Sequence, residues 1–212
     1  MRPPILLALV TLATGAMAQE PVEPARGAFL VAEPAIESGP FHRSVVLLLA
    51  HGEDGTLGLI VNRVTRMQLS EALPELDVDG APYELHFGGP VAIDGLVVLF
   101  RSETPPPNAD PVMEDVYYSG DRNVLEELIR DEKRSGELRL FVGHSGWAPG
   151  QLDAELLRGT WHVRRANASL VFDTPPERMW EELSMSGRTY ARFSHPARHA
   201  TRRTPDDSQK DR

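Results

Sequence analysis

The 212-residue sequence contains no cysteine. Disulfides, thiolate zinc sites, cysteine nucleophiles and acylation at cysteine are therefore excluded. Basic residues are in short supply: 22 Lys and Arg stand against 31 Asp and Glu, a net charge of −9. A nucleic-acid binder needs basic surface against phosphates, and this balance argues against one. Long apolar runs are scarce as well. The run Ile5–Ala13 is too short to cross a bilayer comfortably, and no second run approaches that length.

That short run has another reading. Arg2 precedes it as a positive leader, and Ala16-Met17-Ala18 follows as a small-x-small cleavage site. Residues 1–18 are expected to be an export signal, with Gln19 the first mature residue. The mature protein is then periplasmic or secreted, with no membrane span after cleavage. From Ser194 to Arg212 the chain is polar and reads as a disordered tail. Residues 19–193 remain as one domain, long enough to bury a sizeable core without staples.

Apolar runs of strand length fill that domain. Gly27–Ala32, Ser44–His51, Leu57–Asn62, Leu85–Pro90, Leu96–Phe100, Val116–Ser119, Leu138–Val142, Trp161–Arg164 and Leu170–Phe172 read as strands. Residues 44–62 read as a hairpin. Helices are predicted over Leu69–Leu76, over 122–134 behind an Asp121 cap, and after Gly150, where Leu152 and Leu156 share a face. A last helix follows Thr174-Pro175-Pro176-Glu177 and buries Met179, Trp180 and Leu183. Thr104–Pro111 carries four prolines and is expected to loop out rather than join a ladder. Strands and helices without strict alternation argue for an α+β domain on a mixed, bent sheet.

The chain is organised around Gly143-His144-Ser145-Gly146-Trp147-Ala148-Pro149-Gly150-Gln151. A strand feeding a turn rich in glycine and then a helix brings backbone N–H groups and polar side chains to one mouth. Such junctions hold ligands, and they also serve as plain connectors. Core anchoring is the default for Trp147, Trp161 and Trp180, but Trp147 stands in a turn beside polar groups, so its ring is either a partly exposed wall of the mouth or a core anchor. A nucleophile elbow at Ser145 would need glycine two residues on, where Trp147 stands. His51, His86 and His144 would make a metal centre only by converging, which their spacing does not demand, so no metal or cofactor is assigned. Gly88-Gly89-Pro90 could cradle an anion or let two strands cross closely. Asn62 and Gln151 could orient a ligand or cap buried backbone, and Glu155 could pair with Arg158.

An ordered set of motifs over residues 27–183 resembles the YqgE/AlgH family. It starts with Gly27-Ala28-Phe29-Leu30-Val31-Ala32-x-Pro34 and continues through Phe41-x-x-Ser44-Val45, His51, Gly55, Gly58, Asn62 and Gly88-Gly89-Pro90-Val91. Its most specific part is Gly146-Trp147-x-x-Gly150-Gln151-Leu152-x-x-Glu155 with Trp161, and Phe172-Asp173-Thr174-Pro175 and Trp180 close it. Val64, Phe100 and Ser145 depart from the usual residues, and an export signal is atypical of the family. The resemblance implies a single α+β domain with a bifurcated, partly barrel-like sheet surrounded by helices. It implies no settled activity. One branch is named as a regulator of alginate synthesis, but the acidic charge and the signal speak against transcriptional regulation here.

Two functions are therefore carried forward. One is a non-catalytic binding or regulatory module of the cell envelope, for an unknown protein or small-molecule ligand. The alternative is an enzyme of unknown reaction, with its pocket near His51, Asn62, Gly89, Trp147 and Gln151. The candidate ligand-binding residues are His51, Asn62, Gly88, Gly89, Trp147, Gln151 and Glu155, and no catalytic residue is assigned. An enzyme should present a concavity with one titratable group held by another. A binding module should present an apolar or amide-lined surface without such a pair.

Overall fold

The structure, a computed structural model, describes residues 22–76, 78, 83–104, 106–131 and 136–191. The expected export signal, the tail at 194–212, the turn at 77–82 apart from Val78, and the end of the helix expected at 122–134 lie outside those residues.

A run such as Val45-Val46-Leu47-Leu48-Leu49 has no polar face to offer water, so it must be covered on both sides. It forms the buried part of β2 (Val45–Gly52), which pairs antiparallel with β1 (Ala28–Ala32) on one edge and β3 (Gly55–Ile60) on the other. β9 (Trp161–Arg165) flanks β1. Beyond β3 come β8 (Leu138–Trp147), β5 (Val91–Arg101), β7 (Val116–Ser119) and the edge strand β6 (Asp110–Met113). β4 (Leu85–Phe87) joins β8 in parallel and makes the nine-stranded sheet a mixed one.

The sheet forks at β8. One edge of β8 carries β5, while the other takes β4 at Leu140–Val142 and then β3 at Ser145–Trp147. The sheet curls without closing into a barrel. Its ends, β6 and β9, do not pair, although Val112 and Met113 of β6 pack against Gly27 just ahead of β1.

Among the described residues five helices cover the sheet: α1 (Leu69–Ala72), α2 (Arg122–Arg130), α3 (Gln151–Leu157), α4 (Ala168–Phe172) and α5 (Pro176–Ala191). Asp121 caps α2 by accepting from the amides of Asn123 at 2.8 Å and Val124 at 3.4 Å. The apolar stripe of α2, Val124, Leu125, Leu128 and Ile129, packs with Leu85, Val98, Phe100 and Leu140. Met179, Trp180 and Leu183 of α5 pack in a second cluster with Phe29, Leu47, Ile60 and Phe141.

Three sequence expectations are corrected. Pro111 does join a ladder, opposite Tyr117, because β6 is an edge strand where the missing N–H is tolerated. Leu170–Phe172 is helical, with Asn167 capping α4 through the amide of Leu170 at 2.8 Å. Three apolar residues fit either period, so the cap decided the matter. The strand that enters the central motif does not turn at Gly143. It runs on to Trp147, because Ser145, Gly146 and Trp147 find partners in Gly58, Leu57 and Thr56.

Candidate functional site

Glycine is required where β4 gives way to β5. There the Gly88-Gly89 backbone lies directly on β8, and a β-carbon at Gly89 would overlap the main chain of His144 and Ser145. Gly143 faces it with φ of 67°, where a side chain would meet the Gly89 carbonyl. Gly88 donates to the Val142 carbonyl at 2.9 Å, and its own carbonyl accepts from the Ile60 amide at 2.9 Å and the Ser145 hydroxyl at 3.0 Å. Gly88 and Gly89 thus occupy a close backbone crossing, and Ser145 is wholly buried as part of it.

Beyond the crossing, β8 ends on Trp147. Of the two readings of its ring, a partly exposed wall or a core anchor, the burial agrees with the second, since Trp147 is 5 % exposed. The ring stacks on Phe41 with centroids 5.8 Å apart and meets Trp161 edge-on at 6.0 Å, while Phe41 meets Trp161 edge-on at 5.4 Å. Each indole needs an acceptor for its N–H, and Glu155 serves both. Its Oε2 accepts from Trp147 Nε1 at 2.9 Å and Trp161 Nε1 at 2.8 Å, and its Oε1 accepts from Gln151 Nε2 at 3.0 Å. Gln151 in turn accepts from the Ala148 amide at 3.1 Å and so closes the turn. Glu155 and Gln151 lie one turn apart on α3, so a single short helix supplies the whole clamp.

Burial pushes the Glu155 carboxyl up, but hydrogen bonds from Trp161, Gln151 and Trp147, with the charge of Arg158, outweigh it and hold the group below the ordinary glutamate range. A depressed value in the folded state means that the clamp stabilises fully above the unfolded value of about 4.3. That contribution fades as pH falls through the depressed value.

Asn62 lies apart from this clamp. It accepts from the Val45 amide at 2.8 Å and donates to the Arg43 carbonyl at 2.9 Å. Its neighbour Arg63 donates to the Pro40 and His42 carbonyls at 2.6 and 2.7 Å. Together they hold down the loop that presents Phe41 to the two indoles. His51 is on the β2–β3 hairpin, its Nδ1 2.7 Å from the hydroxyl of Thr56. The histidines do not form a metal cluster: among the described residues no group of three or more His, Cys, Asp or Glu could hold an ion.

A shallow, open depression of about 460 Å³ does lie beside the motif, lined by Ala50, Asp54, Gly55, Thr56, Leu57, Val91, His144, Gly146 and Trp147. Of the sequence candidates, Trp147 reaches it directly and His51 through its contact with Thr56. Gly88 and Gly89 lead into its Val91 wall. Asn62, Gln151 and Glu155 do not line it. Sequence reasoning missed Thr56, Val91 and Arg63. Thr56 was within reach, because a two-residue turn at Glu53-Asp54 places it opposite His51. Val91 was not: it is brought in where β5 leaves the regular ladder between Val91 and Leu96, with Ala92 at φ 46°.

Comparison with known proteins covers most of the chain. The family DUF179, described as AlgH-like, matches residues 29–189. A UPF0301 protein of Streptomyces avermitilis is 37% identical over 163 residues, 74% of this chain and 83% of its own length. A UPF0301 protein of Pseudoalteromonas translucida is 31% identical over 179 residues, 81% of this chain and 96% of its own. Among solved structures, the AlgH protein of Pseudomonas aeruginosa matches with a TM-score of 0.63 at 29% identity, covering 81% of this chain and 89% of that one. A crystal structure from Corynebacterium diphtheriae matches with a TM-score of 0.64 at 29% identity, covering 77% and 87%.

Proposed function

The chain belongs to the AlgH-like DUF179 family, and from that premise we propose that it is a non-catalytic binding module of the cell envelope. Its ligand, a protein or a small molecule, occupies the depression beside Thr56, Val91 and His144. The observation that carries this reading is how the polar groups of the motif are used. Trp147, Gln151, Glu155 and Trp161 satisfy one another, so the carboxylate best placed for chemistry is already engaged. Around the depression, His51 contacts a threonine hydroxyl rather than a carboxylate. The side chains of Asp54 and His144 make no hydrogen bond or ion pair among the described residues. An acid–base catalyst needs a titratable group positioned by another, and that pairing is what an enzyme reading would require.

Exposed apolar side chains at and next to the Val91 wall also support binding: Val91 is 41 % and Ile93, two residues on, 62 % exposed on the stretch that leaves the ladder. The envelope part of the proposal rests on Arg2, the apolar run and Ala16-Met17-Ala18, and the exclusion of nucleic acid as a partner rests on the charge of −9. No helix among the described residues is long and apolar enough to cross a membrane.

Mass spectrometry of the proteins and small molecules retained by the mature chain, beside a Val91→Asp/Ile93→Asp variant, tests the site. The variant is expected to lose the retained species with little change in melting temperature, because both side chains are exposed. Identical retention by both proteins would sink the reading. N-terminal sequencing from a fractionated host checks export, with Gln19 the expected first residue and an intact Met1 in the cytoplasm the contrary result.

A further inference from the structure

His86 is poorly served by the fold. It is 2 % exposed, and among the described residues neither ring nitrogen has a hydrogen-bond partner within the usual geometry. Buried polar atoms are nearly always paired, so an imidazole orphaned at both nitrogens calls for a reason. Its ring tilts against Phe141 of β8, with centroids 5.3 Å apart. The other edge of β4 is closed by a strap at residues 63–65, where Val64 bridges His86 and the Arg63 carbonyl accepts from the Phe87 amide at 2.8 Å.

The charged groups around it favour the neutral ring on balance. Burial, then Arg139 on β8, hold the imidazole below its ordinary value, and the backbones of Glu84 and Leu140 with the Glu84 carboxylate pull the other way without prevailing. Arg63, on the strap, turns its guanidinium to the Pro40 and His42 carbonyls. Protonation would therefore place a charge beside an arginine, in a buried site where the Glu84 and Leu140 backbones and the Glu84 carboxylate compensate it only in part.

β4 is three residues long, yet much depends on it. Immediately after it, Gly88 joins β3, β4 and β8 through the bonds to Ile60, Val142 and Ser145. Val91, a wall of the depression, follows at the start of β5. We propose that His86 is a proton-operated latch on the depression: neutral, it keeps β4 seated between β8 and the 63–65 strap; protonated, it drives β4 out and the Gly88–Val91 wall with it. The occupant is then held in neutral medium and released in acid. Only that last step rests on reading the depression as a binding mouth.

The direction of the effect follows from linkage. Opening takes up a proton, so closure is full above the free histidine value of about 6.5 and weakens about tenfold per pH unit below it, until the closed-state value is reached. Hydrogen exchange by NMR on the full chain, corrected for intrinsic rates, reads this directly. Between about pH 7 and about pH 5, protection of the Phe87 and Gly88 amides is expected to fall, by up to about 25-fold. Protection of the Val61 amide, which donates to Val45 at 2.9 Å away from the latch, should hold. In His86→Leu, and in His86→Gln, the fall at Phe87 and Gly88 should vanish. An equal fall in wild type and variants, or no fall in wild type, overturns the latch. If neither variant folds, titration of the wild-type His86 ring protons decides. Loss of β4 protection in step with that titration supports the latch, and unchanged protection across it overturns it. Because these readouts need no ligand, failure of the latch is distinguishable from failure of the binding reading, which the Val91/Ile93 variant tests.

Discussion

Truncation of Trp147 to alanine is expected to cost about 3–5 kcal/mol, the usual range for emptying a buried tryptophan site. For a domain of this size that lowers the melting temperature by about 6–20 °C. Three losses add up. The ring leaves a void between Phe41 and Trp161, Phe41 loses its stacking partner, and Glu155 loses one of the two indole N–H groups on Oε2. Trp147→Phe keeps most of the packing and removes the N–H, so it should cost less, about 1–3 kcal/mol. Calorimetry on the two variants separates packing from hydrogen bonding. A melting temperature within a few degrees of wild type for the alanine variant would mean that the ring is not held as described.

Gly89→Ala is expected to be worse still. Here the obstacle is main chain rather than a side chain that can rotate away: the new methyl would overlap the backbone of His144 and Ser145, and Gly89 has a φ of 149°. Neither strand can yield without breaking the junction at Gly88. A loss above about 4–5 kcal/mol is expected, beyond the ordinary range of single substitutions, and the protein should be recovered mainly insoluble. Gly52→Ala is the control. Its β-carbon would meet nothing within 4 Å, and its φ is not in the left-handed region. That change should move the urea midpoint little. Comparable midpoints for the two variants would contradict the close crossing.

These two positions also mark where the sequence was legible. The hairpin at β2–β3 could be read directly, since Val45–Leu49 admits only a strand buried on both faces. The cap of α2 could be read too, because the capping bonds of Asp121 run to the amides of Asn123 and Val124 in its own next turn. β8 past Gly143 could not. Glycine has no side chain to display a period, and what extends the strand is pairing with Gly58 and Leu57, far away in the chain. The role of Trp147 was hidden for the same reason: its exposure depends on Phe41 and Trp161, which a local window does not contain. The Gln151–Glu155 spacing on one helix face was visible, but that both side chains turn toward the indoles was not. The depression draws on the hairpin, the first residue of β5 and the end of β8, so no contiguous motif announces it.

The fork at β8 has a consequence for the order in which the molecule is made. β3, β4 and β5 all pair with β8, and no ladder joins any of these three to another. A ribosome delivers all three first. The β1–β2–β3 and β5–β7–β6 groups can each form locally while the chain emerges, but they have no shared strand until Leu138–Trp147 follows. Pairings that distant in sequence are slow to form, and the chain remains two loose halves until they do. Synthesis of those ten residues is the step at which the nascent chain can become one cooperative body.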